Sequence, residues 1–102
     1  MDLAPQPEQP KPPPRVSVVV ISHNRCELLR VCLESLEKSE ERDTIQVIVV
    51  DNGSFDGSAQ LDAEFPKMQF IRVPKNFGLT KAMNLGWRAA EAPYVFFLHD
   101  DT

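Results

Sequence analysis

A chain of 102 residues with a formal charge of −4, 42% hydrophobic and 25% charged, suffices for one small globular domain of ordinary composition. The mild acidity argues against a nucleic-acid partner, which wants a basic stripe. Apolar runs of roughly six or seven residues fall far short of a membrane span.

Residues 1–15, "MDLAPQPEQPKPPPR", hold six of the nine prolines and lack the apolar core of a signal peptide. They are expected to form a disordered leader, because proline and polar residues offer no core to offset the entropy of ordering. A cytoplasmic location follows as the expectation, and anchors for any membrane association would lie beyond Thr102.

"VSVVVI" at 16–21 and "IQVIVV" at 45–50 are β-branched runs with almost no polar alternation. Such strands are buried on both faces of a parallel sheet covered by helices. Between them, Asn24 is placed to cap a helix from Arg25 to about Lys38, with Glu27 at the capping-box position. Leu28, Leu29, Cys32, Leu33 and Leu36 form its apolar face. Cys26 and Cys32 lie about 9 Å apart on that helix, from a rise of about 1.5 Å per residue, too far for a disulfide. They read as reduced packing residues.

Asp56 can cap a short helix through Asp62, "MQFIRV" at 68–73 is a weaker strand, and "YVFFL" at 94–98 is another buried one. Leu79, Met83, Gly86, Trp87 and Ala90 mark a third helix. The order β-α-β-α-β-α-β predicts an α/β fold, a doubly wound parallel sheet.

Open parallel sheets bind ligands beyond the carboxyl ends of their strands. The stretches at those ends are "SHNR", "DNGS", "PKNFG" and "HDDT", so polar groups should converge along one sheet edge. No dinucleotide-binding glycine pattern, phosphate loop or nucleophile elbow is present. Asp51 ends a strand buried on both faces, where an unpaired carboxylate is costly, so it either binds ligand or ties loops together. In "HDDT" side chains alternate, placing His99 and Asp101 on one side and Asp100 on the other. That pair could serve a divalent cation or a ribose, and a solvated terminus with a capping aspartate is the plainer alternative.

Taken together, "VSVVVISHNR", "VIVVDNGSFDGS", "NFGLTKAMNLGWRAA" and "YVFFLHDDT" resemble, in order and spacing, the first half of a family 2 glycosyltransferase with the GT-A fold. The resemblance covers residues 16–102. It implies that this half holds a nucleoside-diphosphate sugar donor. Ser22, His23 and Asn24 would line the site, with His23 where an aromatic residue often stacks near the base. Asp51 and Asn52 would contact base and ribose, and Asn76, Gly78, Lys81 and Asn84 match the loop and helix beside the nucleotide. Asp101 matches the second aspartate of the D-x-D motif, which binds Mg²⁺ or Mn²⁺, while His99 replaces the first and, with Asp100, would lie beside the donor.

Transfer with inversion to a saccharide or lipid-linked acceptor needs a general base, which the resemblance places beyond Thr102. The chain is therefore expected to be the donor-binding part of a longer enzyme, prone to self-association through an uncovered sheet edge. The competing reading is a non-catalytic nucleotide-binding or interaction module with a proline-rich tail.

Overall fold

The computed structural model describes residues 13–24, 26–53 and 61–99, with His99 described by its backbone alone. Its elements follow the predicted alternation: β1 (Val16–Ser22), α1 (Cys26–Glu37), β2 (Ile45–Asn52), α2 (Leu61–Glu64), β3 (Gln69–Val73), α3 (Leu79–Ala89) and β4 (Tyr94–His99). A single 3₁₀ turn at Arg42–Thr44 leads into β2. The four strands are all parallel and lie in the order β3-β2-β1-β4.

That order records a reversal. From β1 the chain moves outward through β2 to β3, then crosses back to place β4 on the far side of β1. The switch point therefore falls between β1 and β4, where an open α/β sheet leaves a crevice beyond its strand ends.

Because side chains alternate along a strand, the β-branched runs supply two cores at once. Val18, Val20, Val47 and Val49 pack with Leu29, Leu33, Leu61, Phe65 and Met68 beneath α1 and α2. Val19, Ile21, Ile48 and Val50 pack with Ala82 beneath α3. Half-buried Cys26 and Cys32 pack against the first of these cores and form no disulfide.

Three predicted faces differ from the observed ones. In α1, Leu29 and Leu33 are buried, whereas Leu28 is exposed. In α3 the small residues Ala82 and Gly86 meet the sheet, and Leu79 and Trp87 face outward. A Cβ on Gly86 would lie 2.2 Å from Val19 Cγ1, so the absent side chain sets how closely α3 approaches β1. The strand β4 is an edge strand rather than one buried on both faces: Tyr94 is 70% and Phe96 62% exposed, while Val95 and Phe97 pack under α3.

Boundaries differ less. Asn24 adopts φ +53° where a capping residue is ordinarily extended, and α1 starts at Cys26. Met68 joins the core instead of β3, its N–H donating to Phe65 O. The short helix after β2 runs on to Glu64, and its predicted cap Asp56 lies outside the described residues.

A polar knot closes the amino-terminal end of the sheet. Ser17 Oγ donates to Gln46 Oε1 (2.7 Å), and Gln46 Nε2 donates to Ala89 O at the end of α3. The N–H groups of Glu91 and Ala92 donate back to Gln46 Oε1 and Ser17 Oγ, which fixes where β4 begins. The opposite, carboxyl-terminal end is left for the site.

Candidate functional site

Register sets the site's geometry. Ser22 lies opposite Asp51, Asp51 opposite Arg72, and Ile21 opposite His99, so the tips of all four strands are level. The loops that leave these tips converge on Asn52.

Asn52 is 4% exposed and its side chain is fully engaged. Its Nδ2 donates to Asn76 Oδ1 (2.9 Å) and Gly78 O (3.4 Å), and its Oδ1 accepts from Phe77 N–H (3.1 Å). Asn76 Oδ1 also accepts from Gly78 N–H (2.8 Å). One amide at the end of β2 thus holds the loop that follows β3. An asparagine suits this task because it donates and accepts, whereas an ionised aspartate only accepts.

Gly53 completes the clamp. It sits at φ +80°, and a Cβ there would lie 2.5 Å from Asn76 N and from Lys75 C, so the turn after β2 and the 75–76 backbone touch with no room between them. Gly78 has φ +92° and ψ 163°, a region essentially reserved for glycine, and the space beside it is open. Its exposed backbone opens α3 at the site edge.

His23 is fixed from both ring nitrogens. Nδ1 lies 2.7 Å from Asn52 O, which can only accept, so this nitrogen carries the proton. Nε2 is then the acceptor for Asn24 Nδ2 at 3.4 Å. The Nδ1 bond to Asn52 O orients the imidazole and presents its half-exposed ring at the strand tips. Such a ring can stack, and its two nitrogens are already committed.

Asp51 is 3% exposed and Ser22 is fully buried. Among the described residues every buried side-chain polar atom has a hydrogen-bond partner, Asp51 included. Its burial beside Ser22 makes it the one buried carboxylate of the edge among the described residues. Among the described residues no group of three His, Cys, Asp or Glu is placed to hold a metal ion. Asp100 and Asp101 lie outside the described residues, as does the side chain of His99.

The structure thus joins His23, Asn24, Asn52, Asn76 and Gly78 by direct contact, with Ser22 and Asp51 alongside in register. Lys81 and Asn84 stand apart. They line an open cavity of about 410 Å³ with Val73, Phe77, Leu85 and Arg88. Phe77 and Arg88 were not singled out in the sequence. The signal was present: Phe77, Lys81, Asn84 and Arg88 recur at spacings of three and four.

Comparison with known proteins follows this geometry. The family model described as "Glycosyl transferase family 2" matches residues 17–102. A teichoic acid poly(glycerol phosphate) polymerase of Staphylococcus epidermidis is 32% identical over 85% of this chain and 13% of its own length. An N-acetylglucosaminyltransferase of Sinorhizobium fredii is 32% identical over 88% of this chain and 23% of its own. The mannosyltransferase PcManGT of Pyrobaculum calidifontis, solved in complex with GDP-Man and Mn²⁺, superposes with a TM-score of 0.74. It is 28% identical over 98% of this chain and 30% of its own. The chain spans 13% and 23% of these two curated relatives.

Proposed function

The chain belongs to glycosyl transferase family 2, and we propose from that premise that residues 16–102 are the nucleotide-sugar-holding part of an inverting, metal-dependent glycosyltransferase. The observation that carries this is the convergence of His23, Asp51, Asn52 and the 76–78 loop at the carboxyl edge of the sheet, beside the switch between β1 and β4. The likeness to a mannosyltransferase that holds GDP-Man and Mn²⁺ supports it.

On this reading the residues divide into those that face the donor and those that build the wall. The His23 ring stacks beside the base, its orientation set by Asn52 O. Asp51 accepts hydrogen bonds from the base or ribose. Asn52 acts indirectly, by holding Asn76 and Gly78 in place. The Nδ2 of Asn76 makes no hydrogen bond among the described residues, so it is the amide group left to meet the ligand. Lys81 and Asn84 flank the nucleotide from α3, Asn24, His99 and Asp100 complete the rim, and buried Ser22 backs it beside Asp51.

A divalent cation, Mg²⁺ or Mn²⁺, held through Asp101 would neutralise charge on the diphosphate as the nucleotide leaves. The acceptor on this reading is a saccharide or a lipid-linked acceptor, and the general base that deprotonates it comes from outside these residues.

Calorimetric titration with UDP, dTDP and GDP, each with and without Mn²⁺, tests this directly. Manganese-dependent binding of one nucleotide, lost in Asp101→Asn and weakened in Asp51→Asn, is expected. A folded chain that binds none of the three would overturn the proposal.

A further inference from the structure

The chain's charge is unevenly placed. Residues 65–90 contain five cations and no acid, while the other six cations share the rest of the chain with all fifteen acids. One of the five is occupied on the α2 side, where Arg72 pairs with Asp62 (2.5 Å), and Lys67 precedes β3 at the opposite end of the sheet. Lys75, Lys81 and Arg88 enter none of the ion pairs of the described residues.

These three form one surface. The ammonium groups of Lys75 and Lys81 both lie over the Phe77 ring, at 5.4 and 5.2 Å from its centroid. Phe77, Lys81, Asn84 and Arg88 then line the open 410 Å³ cavity along the outward side of α3. Beside Arg88, Trp87 is 60% exposed, a large apolar ring left in water on a helix whose opposite face is the core. No helix among the described residues is long and apolar enough to cross a membrane.

We propose that the outward face of α3 docks peripherally on an anionic lipid surface. An interface of that kind wants unpaired cations interleaved with aromatic side chains. Trp is favoured there because its ring is apolar and its N–H stays wet. The open cavity beside Arg88 has room for a headgroup phosphate, which the Arg88 guanidinium can meet. Charge complementarity selects an anionic over a zwitterionic surface, since the remainder of this acidic chain is repelled from it and so orients α3 inward. This inference does not rest on the donor-binding proposal.

Trp87 is the sole tryptophan and reports its own burial. The 102-residue chain is titrated with vesicles of phosphatidylcholine alone and of equal parts phosphatidylcholine and phosphatidylglycerol, following Trp87 emission and co-sedimentation. Blue-shifted emission and sedimentation with the anionic vesicles only are expected. Lys75→Gln and Arg88→Gln should each weaken partitioning about fivefold, the equivalent of about 1 kcal/mol per cation near such a surface. Both residues are exposed, circular dichroism checks that the variants fold, and Lys75→Gln in a loop carries the test should Arg88→Gln fail to fold. Three outcomes overturn the proposal: equal partitioning to both vesicles, binding that leaves Trp87 unshifted, or the same shift produced by soluble glycerol phosphate. Lys81 is left intact, so nucleotide titrations of the same variants separate failure here from failure of donor binding.

Discussion

Replacing Asn52 by aspartate, a change of one NH₂ to one oxygen, should unfasten the site. The parent amide donates to Asn76 Oδ1 at 2.9 Å and to Gly78 O at 3.4 Å. A carboxylate keeps only the acceptance from Phe77 N–H and sets negative charge against two acceptor oxygens at a residue 4% exposed. The loss of two donations costs about 1 kcal/mol each, less for the longer one, and the unfavourable burial adds a comparable amount. A total of about 2–4 kcal/mol is expected. Urea denaturation at neutral pH reads it as a lowered midpoint with an unchanged slope. The deficit should shrink as pH falls into the carboxylate range, because a protonated acid can again donate to Asn76 Oδ1. A double-mutant cycle with Asn76→Ala should be non-additive, since the repulsion needs that oxygen. Asn52→Asp within 0.5 kcal/mol of the parent (the ordinary spread of surface changes), or strict additivity with Asn76→Ala, would refute the clamp.

Gly86→Ala should destabilise by about 1–3 kcal/mol, because its Cβ lands 2.2 Å from Val19 Cγ1, and thermal melts should show partial recovery in Gly86→Ala/Val19→Ala. Gly53→Ala forces a positive φ on an L-residue and drives a methyl into the 75–76 backbone, so a loss of about 2 kcal/mol is expected with nucleotide affinity falling further than stability. His23→Phe keeps a stacking ring but abandons Asn52 O, so nucleotide binding should weaken less than in His23→Ala, as read by calorimetry. We propose that β4 mediates self-association: Phe96→Lys should shift sedimentation velocity from dimer or larger species towards monomer, and a parent chain monomeric at all concentrations refutes this.

How far the sequence carried depended on the kind of information each feature needs. The β-branched runs at 16–21 and 45–50 announced strands buried on both sides, and both are so buried. The order of elements and the motifs at the strand ends foretold a parallel sheet with its polar loops on one edge. Helix faces were less legible. Periodicity ranks Leu79 and Trp87 as core because they are large, but the core side of α3 was chosen by the close approach that Gly86 permits to Val19. That choice depends on inter-element distance, which one helix does not encode. The burial of β4 was overestimated for a related reason: "YVFFL" reads identically in a central and an edge strand, and only the order β3-β2-β1-β4 distinguishes them. At the site, His23, Asp51, Asn52 and Gly78 were visible as types, while the clamp role of Asn52 needed its partners.

The two faces of the sheet present different problems and different uses. On the face covered by α3, the loop ahead of that helix and its outer side combine cations with Phe77 and Trp87, so an anionic partner meets charge beside apolar surface. On the β4 side, Tyr94, Phe96 and Leu98 lie beside Val16, Val18 and Val20 with no cation among them. A surface of that composition gains from exclusion of water alone and discriminates poorly between partners. Salt therefore separates the two. Raising ionic strength should weaken docking through α3, whose cations are screened over about 10 Å at 0.1 M, and should leave or strengthen contacts made through β4. Sedimentation of the chain across a salt series, with and without anionic vesicles, resolves which face is at work. Loss of vesicle binding with retained self-association assigns the two roles to different faces, and loss of both together would refute that division.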